Sequence, residues 1–142
     1  MINRFIGEYE FLSNFYPTPI YDNDGKEYPT VEHYFQAMKT FNPQKRELIR
    51  LAESPGKAKR IGRLVQLRED WEDRKLDIMK KVLIQKFQIP ELRNKLLATG
   101  DEELIEGNFW NDTYWGVCKE NGENHLGKLL MSIREKIRDG EL

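Results

Sequence analysis

Apolar residues recur along this chain at helical spacing, in short runs set apart by turn formers. In TVEHYFQAMK, Thr30–Lys39, the residues Val31, Tyr34, Phe35, Met38 and Phe41 share one side of a helix that Thr30 can cap. Glu32, Gln36 and Lys39 form a polar line beside that apolar wall, within about 60° of one another at spacings i, i+4 and i+7. Such a line is either a hydrated stripe or one wall of a polar pocket.

The same punctuation recurs downstream. Asn42-Pro43 opens QKRELIRLAE and Ser54-Pro55 opens GKAKRIGRLV, each a capping side chain followed by proline at the first helical position. Asp70 precedes the longest amphipathic run, with Leu76, Met79, Val82, Leu83 and Phe87 inward. Pro90 starts ELRNKLLAT, which Gly100 ends as a left-handed cap. Asn124 caps a final helix that turns Leu126, Leu129, Leu130, Ile133 and Ile137 inward. Before Thr30, Asp22–Gly25 (DNDG) predicts a short β-hairpin between Ile20-Tyr21 and Glu27-Tyr28. Glu103–Cys118 is aromatic and turn-rich with few helix signals. No linker, repeat or low-complexity segment breaks the sequence. The pattern therefore predicts a mainly α, single compact multihelical domain over residues 1–142, with a short β-hairpin and irregular aromatic-rich segments.

Composition narrows the partners. The 142 residues are 39% hydrophobic and 33% charged, values of a soluble globular protein. A net charge of −1 provides no global attraction for phosphate backbones. The single cysteine, Cys118, excludes an internal disulfide framework and fits a reducing compartment. No signal-peptide core and no apolar run of spanning length occur, so a cytoplasmic location without membrane contact is expected. Glycine-rich phosphate loops and a serine-hydrolase elbow are absent. His33, His125 and Cys118 lack metal-ligand spacing, so no metal and no cofactor is expected, and His33 is read as a helix-face residue near a cap.

Four polar groups remain for chemistry: Glu32, Lys39, Glu106 and Asp112. Each also has a plain structural explanation. Glu32 and Lys39 fit a hydrated helix face, Glu106 fits a strand end, and Asp112 in NDTYW fits an Asx turn. Trp71, Trp110 and Trp115 fit core anchors, and the basic run Lys57–Arg63 (KAKRIGR) fits a solvated face.

A family resemblance separates these alternatives. EFLSNFYP (Glu10–Pro17), PTVEHYFQAMK (Pro29–Lys39), IGR (Ile61–Arg63), EDWEDRKLDIMKKVLIQKF (Glu69–Phe87), LLATGDEELIEGN (Leu96–Asn108), NDTYWGV (Asn111–Val117) and NHLGKLLMSIR (Asn124–Arg134) resemble, in order, the NADAR or YbiA-like family. The likeness runs from about Tyr9 to Arg138, and the ordered set is far more specific than any one piece. It implies a mostly helical fold and N-glycosidase chemistry, hydrolysis of the C1–N bond between ribose and a base-like amine. The implied substrates are phosphorylated ribosylamino-pyrimidines of riboflavin biosynthesis, or ADP-ribose on guanine in DNA or RNA.

Under that resemblance the candidates acquire roles. Ribosyl C–N cleavage builds positive charge on C1 and the ring oxygen, which a carboxylate stabilises, and the leaving nitrogen needs a proton. Glu32, Glu106 and Asp112 are the carboxylates available. Lys39, which matches the lysine closing the family's EHYFQAxK motif, is expected either to attack C1 as a neutral amine or to hold a hydroxyl or phosphate as a cation. Phe15, Tyr16, Trp71 and Trp115 are expected to stack on a base; Ser13, Asn14 and Gln36 to bind polar groups; Arg63 to hold phosphate; and Gly116 to let backbone approach the ligand.

The expected partner is a small nucleotide-like molecule, with ADP-ribosylated DNA or RNA as the alternative carrier, and the expected state is a monomer or weak dimer. Two departures lie near the presumed pocket: NFWN (Asn108–Asn111) replaces a serine, proline and aromatic, and Cys118 replaces a common glycine. The rival functions are a non-catalytic ADP-ribose reader and a helical nucleic-acid-binding domain using KAKRIGR and the basic positions from Arg74 to Lys86. The enzyme reading requires a sheltered cavity in which Lys39 and carboxylates converge on one anomeric carbon.

Overall fold

The computed structural model describes residues 1–142. Six α-helices carry the fold: α1 (Val31–Ala37), α2 (Pro43–Arg50), α3 (Pro55–Gly62), α4 (Trp71–Lys86), α5 (Pro90–Ala98) and α6 (His125–Arg138). A 3-10 helix covers Gly7–Leu12, and four two-residue strands complete the architecture: β1 (Ile20–Tyr21), β2 (Glu27–Tyr28), β3 (Gly107–Asn108) and β4 (Val117–Cys118). By contact the chain forms two compact units. One is the continuous stretch Asn14–Lys86, and the other joins Met1–Ser13 to Phe87–Leu142.

In the continuous unit, α1 packs on α2, α3 and α4. Its boundaries follow local chemistry. The Thr30 hydroxyl accepts from the His33 amide, Asn42 from Lys45 and Ser54 from Lys57, and Pro43 and Pro55 take the first turns of α2 and α3. The hairpin is the one that DNDG predicts: Ile20 pairs with Tyr28 and Tyr21 with Glu27, antiparallel. Asp22 Oδ1 accepts from the amides of Asp24 and Lys26 at 2.9 Å each, and Gly25 supplies the positive φ of +82°. Val31, Phe35, Ile49, Ala58, Met79, Val82 and Leu83 are core residues of this unit.

In the second unit, α5 packs on α6. Gly100, at φ +63°, ends the α5 segment as expected. The Ile2 strand segment bridges Leu104 in parallel, and β3 runs parallel to β4 with Gly107 opposite Val117.

Three local expectations need correction. Helix α1 stops at Ala37, so Phe41 does not lie on its apolar side; the ring is exposed and the Arg68 guanidinium sits 4.1 Å from its centroid. Leu76 faces outward while Ile78 takes the core position. Just before α4, the Asp70 carboxylate accepts from the Arg68 guanidinium at 2.6 Å and 3.0 Å. Asn124 precedes α6 in the left-handed region and makes no side-chain cap, because its carboxamide is used elsewhere.

Candidate functional site

The polar line of α1 is not a hydrated stripe. Glu32 is 7% exposed and Gln36 4%, while Lys39 is half-buried just past the helix end. The i, i+4 spacing brings the Gln36 carboxamide onto the carboxylate: Gln36 Nε2 donates to Glu32 Oε1 at 2.8 Å. Gln36 Oε1 is buried without a hydrogen-bond partner. It lies against the backbone of Gly62 in α3, where a Cβ would stand 1.9 Å from it and 2.8 Å from Gln36 Cδ. The N-terminal end of α1 is fixed twice more. The Glu32 amide donates to the Asn14 carbonyl at 3.1 Å, and His33 Nε2 donates to the Ala52 carbonyl at 3.0 Å. That bond leaves His33 Nδ1 to accept from the Thr30 hydroxyl at 2.8 Å, and burial lowers the imidazole pKa. His33 is thus a neutral structural strut.

Lys39 is pulled below the usual lysine range, chiefly by desolvation. Glu32 opposes this, while Lys59, Arg63 and Lys75 add to it. These three cations come from α3, its end and α4, so positive charge gathers around the Lys39 amine and Glu32 is the carboxylate that opposes it. Arg63 itself is exposed at the C-terminal end of α3.

The remaining predicted binders of this unit divide. Asn14 is buried, with Nδ2 3.7 Å from Met79 Sδ and Oδ1 unpartnered. Phe15 is exposed and Tyr16 half-buried, with Lys86 Nζ 5.7 Å from the Tyr16 ring centroid. Trp71 is a core residue, its ring 5.0 Å from that of Phe35.

In the second unit a different polar cluster holds Glu106 and Asp112. Asn108 Nδ2 donates to Glu106 Oε2 at 3.1 Å and to the Asp112 carbonyl at 2.9 Å, while Asn108 Oδ1 accepts from the Asp112 amide at 3.1 Å. Asp112 Oδ1 accepts from the amides of Tyr114 and Trp115 at 3.1 and 2.9 Å, which is the Asx turn. The Asn124 carboxamide donates to the Leu104 carbonyl at 2.9 Å and accepts from the Glu106 amide at 3.0 Å. Gly116 fits only without a side chain: a Cβ there would stand 1.8 Å from Glu106 Oε2 and 2.1 Å from the Glu106 carbonyl oxygen. The half-buried Trp115 ring packs edge-on against Tyr114 at 4.8 Å, and Tyr114 lies 4.4 Å from His125. Ser13 follows the 3-10 helix and donates its amide to Glu10. Trp110 is not a core anchor: the Asn108–Asp112 clamp holds it at an exposed tip beside Phe109, itself 80% exposed.

Sequence reasoning gave Asn108, Asn124, Gly62 and Lys86 no part in these polar clusters. The two asparagines had no signal beyond turn propensity. Lys86 did have one, since it follows Met79 and Val82 at i+7 and i+4 and so stands on the apolar stripe of α4.

A family model described as the NADAR domain matches residues 4–138. N-glycosidase YbiA of Escherichia coli (strain K12) is 46% identical over 134 residues, covering 92% of this chain and 82% of that protein. The chloroplastic riboflavin biosynthesis protein PYRR of Zea mays is 42% identical over 144 residues, covering 89% of this chain and 23% of that protein. The NMR structure of E. coli YbiA superposes with a TM-score of 0.84 at 42% identity, over 99% of this chain and 89% of that one. No helix here is long and apolar enough to cross a membrane.

Proposed function

The chain belongs to the NADAR family and is a hydrolase of N-glycosyl bonds, and from that premise we propose that it cleaves the ribose C1–N bond of a phosphorylated ribosylamino-pyrimidine with Lys39 as the nucleophile. The observation that carries this reading is the buried Glu32–Gln36 pair beside a half-buried lysine whose ammonium form is disfavoured. Riboflavin biosynthesis in the name of the maize relative supports the substrate class.

The proposed chemistry begins with opening of the ribosyl ring to the protonated imine. The neutral Lys39 amine adds to C1, the C1–N bond to the pyrimidine amine breaks, and that nitrogen leaves carrying the transferred proton. The result is a Schiff base between Lys39 and the sugar. Water then adds to C1, the C1–Nζ bond breaks, and free Lys39 and the ribose aldehyde are regenerated. Glu32 stabilises the cationic C1 and guides the protons. Arg63 is the proposed phosphate ligand, its two-point fork matching phosphate oxygens. Glu106 and Asp112 are carried as candidate acid–base groups on their chemistry alone, and E106Q and D112N in the same assay assign or remove those roles.

The test offers the protein two substrates, the phosphorylated ribosylamino-pyrimidine and an oligonucleotide bearing ADP-ribosylated guanine, and follows free base by mass spectrometry. Release from the first, with a borohydride-trapped adduct on Lys39, is expected. Release only from the second reassigns the substrate class. Turnover of wild type without any trapped adduct under single-turnover conditions removes the covalent route.

A further inference from the structure

We propose that Gly62 is a positioning residue for the reaction: by presenting no side chain, it lets the Gln36 carboxamide lie against α3 and hold the Glu32 carboxylate in its working orientation. The inference rests on the role proposed above for Glu32 and Lys39.

Three observations meet at this point. Gln36 Nε2 is committed to Glu32 Oε1 at 2.8 Å, a bond strengthened by the charge of its acceptor. The opposite end of the same carboxamide, Oε1, is buried with no hydrogen-bond partner, which costs free energy and so requires something else to fix it. That something is shape, because the oxygen rests where a Cβ on residue 62 would stand 1.9 Å away. Flipping the amide gives no relief, since it would turn the oxygen toward the carboxylate. Glycine is the poorer helix former, yet it occupies the last residue of α3 at this contact.

The three atoms nearest to an alanine methyl at 62 would all belong to the Gln36 side chain, its carboxamide end at 1.9 and 2.8 Å and its Cβ at 3.0 Å. The fold can accommodate the methyl by swinging the Gln36 carboxamide off Glu32 and yielding a few tenths of an ångström at Gln36 Cβ. Glu32 would then lose the Gln36 N–H donor and become easier to protonate, with Lys39, itself flanked by Lys59 and Arg63 at α3 and Lys75 on α4, as the neighbouring cation.

The test compares wild type, G62A, Q36A, the G62A/Q36A double variant and E32Q, using the phosphorylated ribosylamino-pyrimidine and kcat/KM from pH 5 to 9. G62A should lower kcat by about tenfold or more with KM within about twofold, the size of one misplaced proton-handling group. It should also move the acid limb of the profile to higher pH. Q36A should do the same. The double variant should have nearly the kcat of Q36A alone, because truncation removes the contacts at 1.9 and 2.8 Å and leaves only the Cβ of residue 36, 3.0 Å from the methyl, to yield slightly. Wild-type kcat and acid limb in a folded G62A, or independent losses that multiply in the double variant, would overturn the proposal. E32Q with wild-type turnover would overturn the catalytic role of Glu32 as well. E32Q inactive beside an unaffected G62A would overturn the positioning role alone.

Discussion

Replacing Lys86 by Met isolates what a buried amine does to this fold. Lys86 is 0% exposed on the apolar stripe of α4, and desolvation lowers its pKa from 10.5 to about 7. The unfolded chain therefore holds a proton that the folded chain releases, throughout the window from about pH 7 to pH 10.5. By linkage, stability rises with pH across that window. One pKa unit corresponds to about 1.4 kcal/mol, and the folded amine is already half neutral at pH 7, so the gain from pH 7 to pH 9 is about 2 kcal/mol. In urea this is a rise in midpoint on the order of 1 M for wild type. Few other groups interfere. His33 is lowered from 6.5 and acts below the window, Tyr28 is pushed up from 10.0 to about 12 and acts above the pH 7–9 comparison, and Lys39 adds a smaller slope of the same sign. K86M should remove the Lys86 share. Whatever its offset at pH 7, its stability relative to wild type should fall by about 2 kcal/mol between pH 7 and pH 9. Urea denaturation at three pH values reads this directly, and parallel curves for the two proteins would refute a protonation change at Lys86.

Lys39 should behave as a nucleophile that must first lose its proton. Turnover by wild type is expected to rise with pH along a limb below the ordinary lysine range, and K39M should abolish base release while melting within a few degrees of wild type. Mass-spectrometric acetylation rates of Lys39 against pH test the surrounding charges without turnover: K59M should move the labelling midpoint up, and E32Q should move it down. G116A should lose about 3 kcal/mol in thermal denaturation or fail to fold. Its Cβ would meet the carbonyl oxygen of Glu106, which is backbone and has nowhere to yield.

Much of the continuous unit was legible because its signals are local. Thr30, Asn42 and Ser54 satisfy amides three residues on, and the following prolines in α2 and α3 need no amide partner, so helix starts can be read from four residues at a time. Periodicity fails where a helix ends early. Phe41 continues the spacing of α1, but the chain has already turned at Met38, and Thr40 Oγ1 accepts the Asn42 amide to set up the next helix. The second unit was less legible for a different reason. Its irregular stretch is ordered by carboxamides that bridge backbone groups, with Asn124 spanning 20 residues to the Leu104 carbonyl and Asn108 closing its own loop. A pattern of turn formers gives no indication of which distant carbonyl a side chain will reach. The same limit explains Asn124 itself, where a residue type suited to capping is diverted to two backbone groups ahead of its helix.

Lys39 and Lys86 together show what a depressed lysine pKa does and does not indicate. Desolvation is the first cause at both, and Lys86 is displaced far enough to reach about 7. By proton affinity alone Lys86 would be the better amine at neutral pH. Nucleophilic work also requires approach along the lone pair of the nitrogen, and a side chain with no exposed surface cannot offer it. Lys39 keeps partial exposure just past the end of α1. Its weaker shift is therefore the one that suits the nucleophile proposed above. The early end of α1 at Ala37, which defeats the simple apolar pattern, thus sets the proposed amine just past the helix, while Gln36 holds the carboxylate of Glu32 within it.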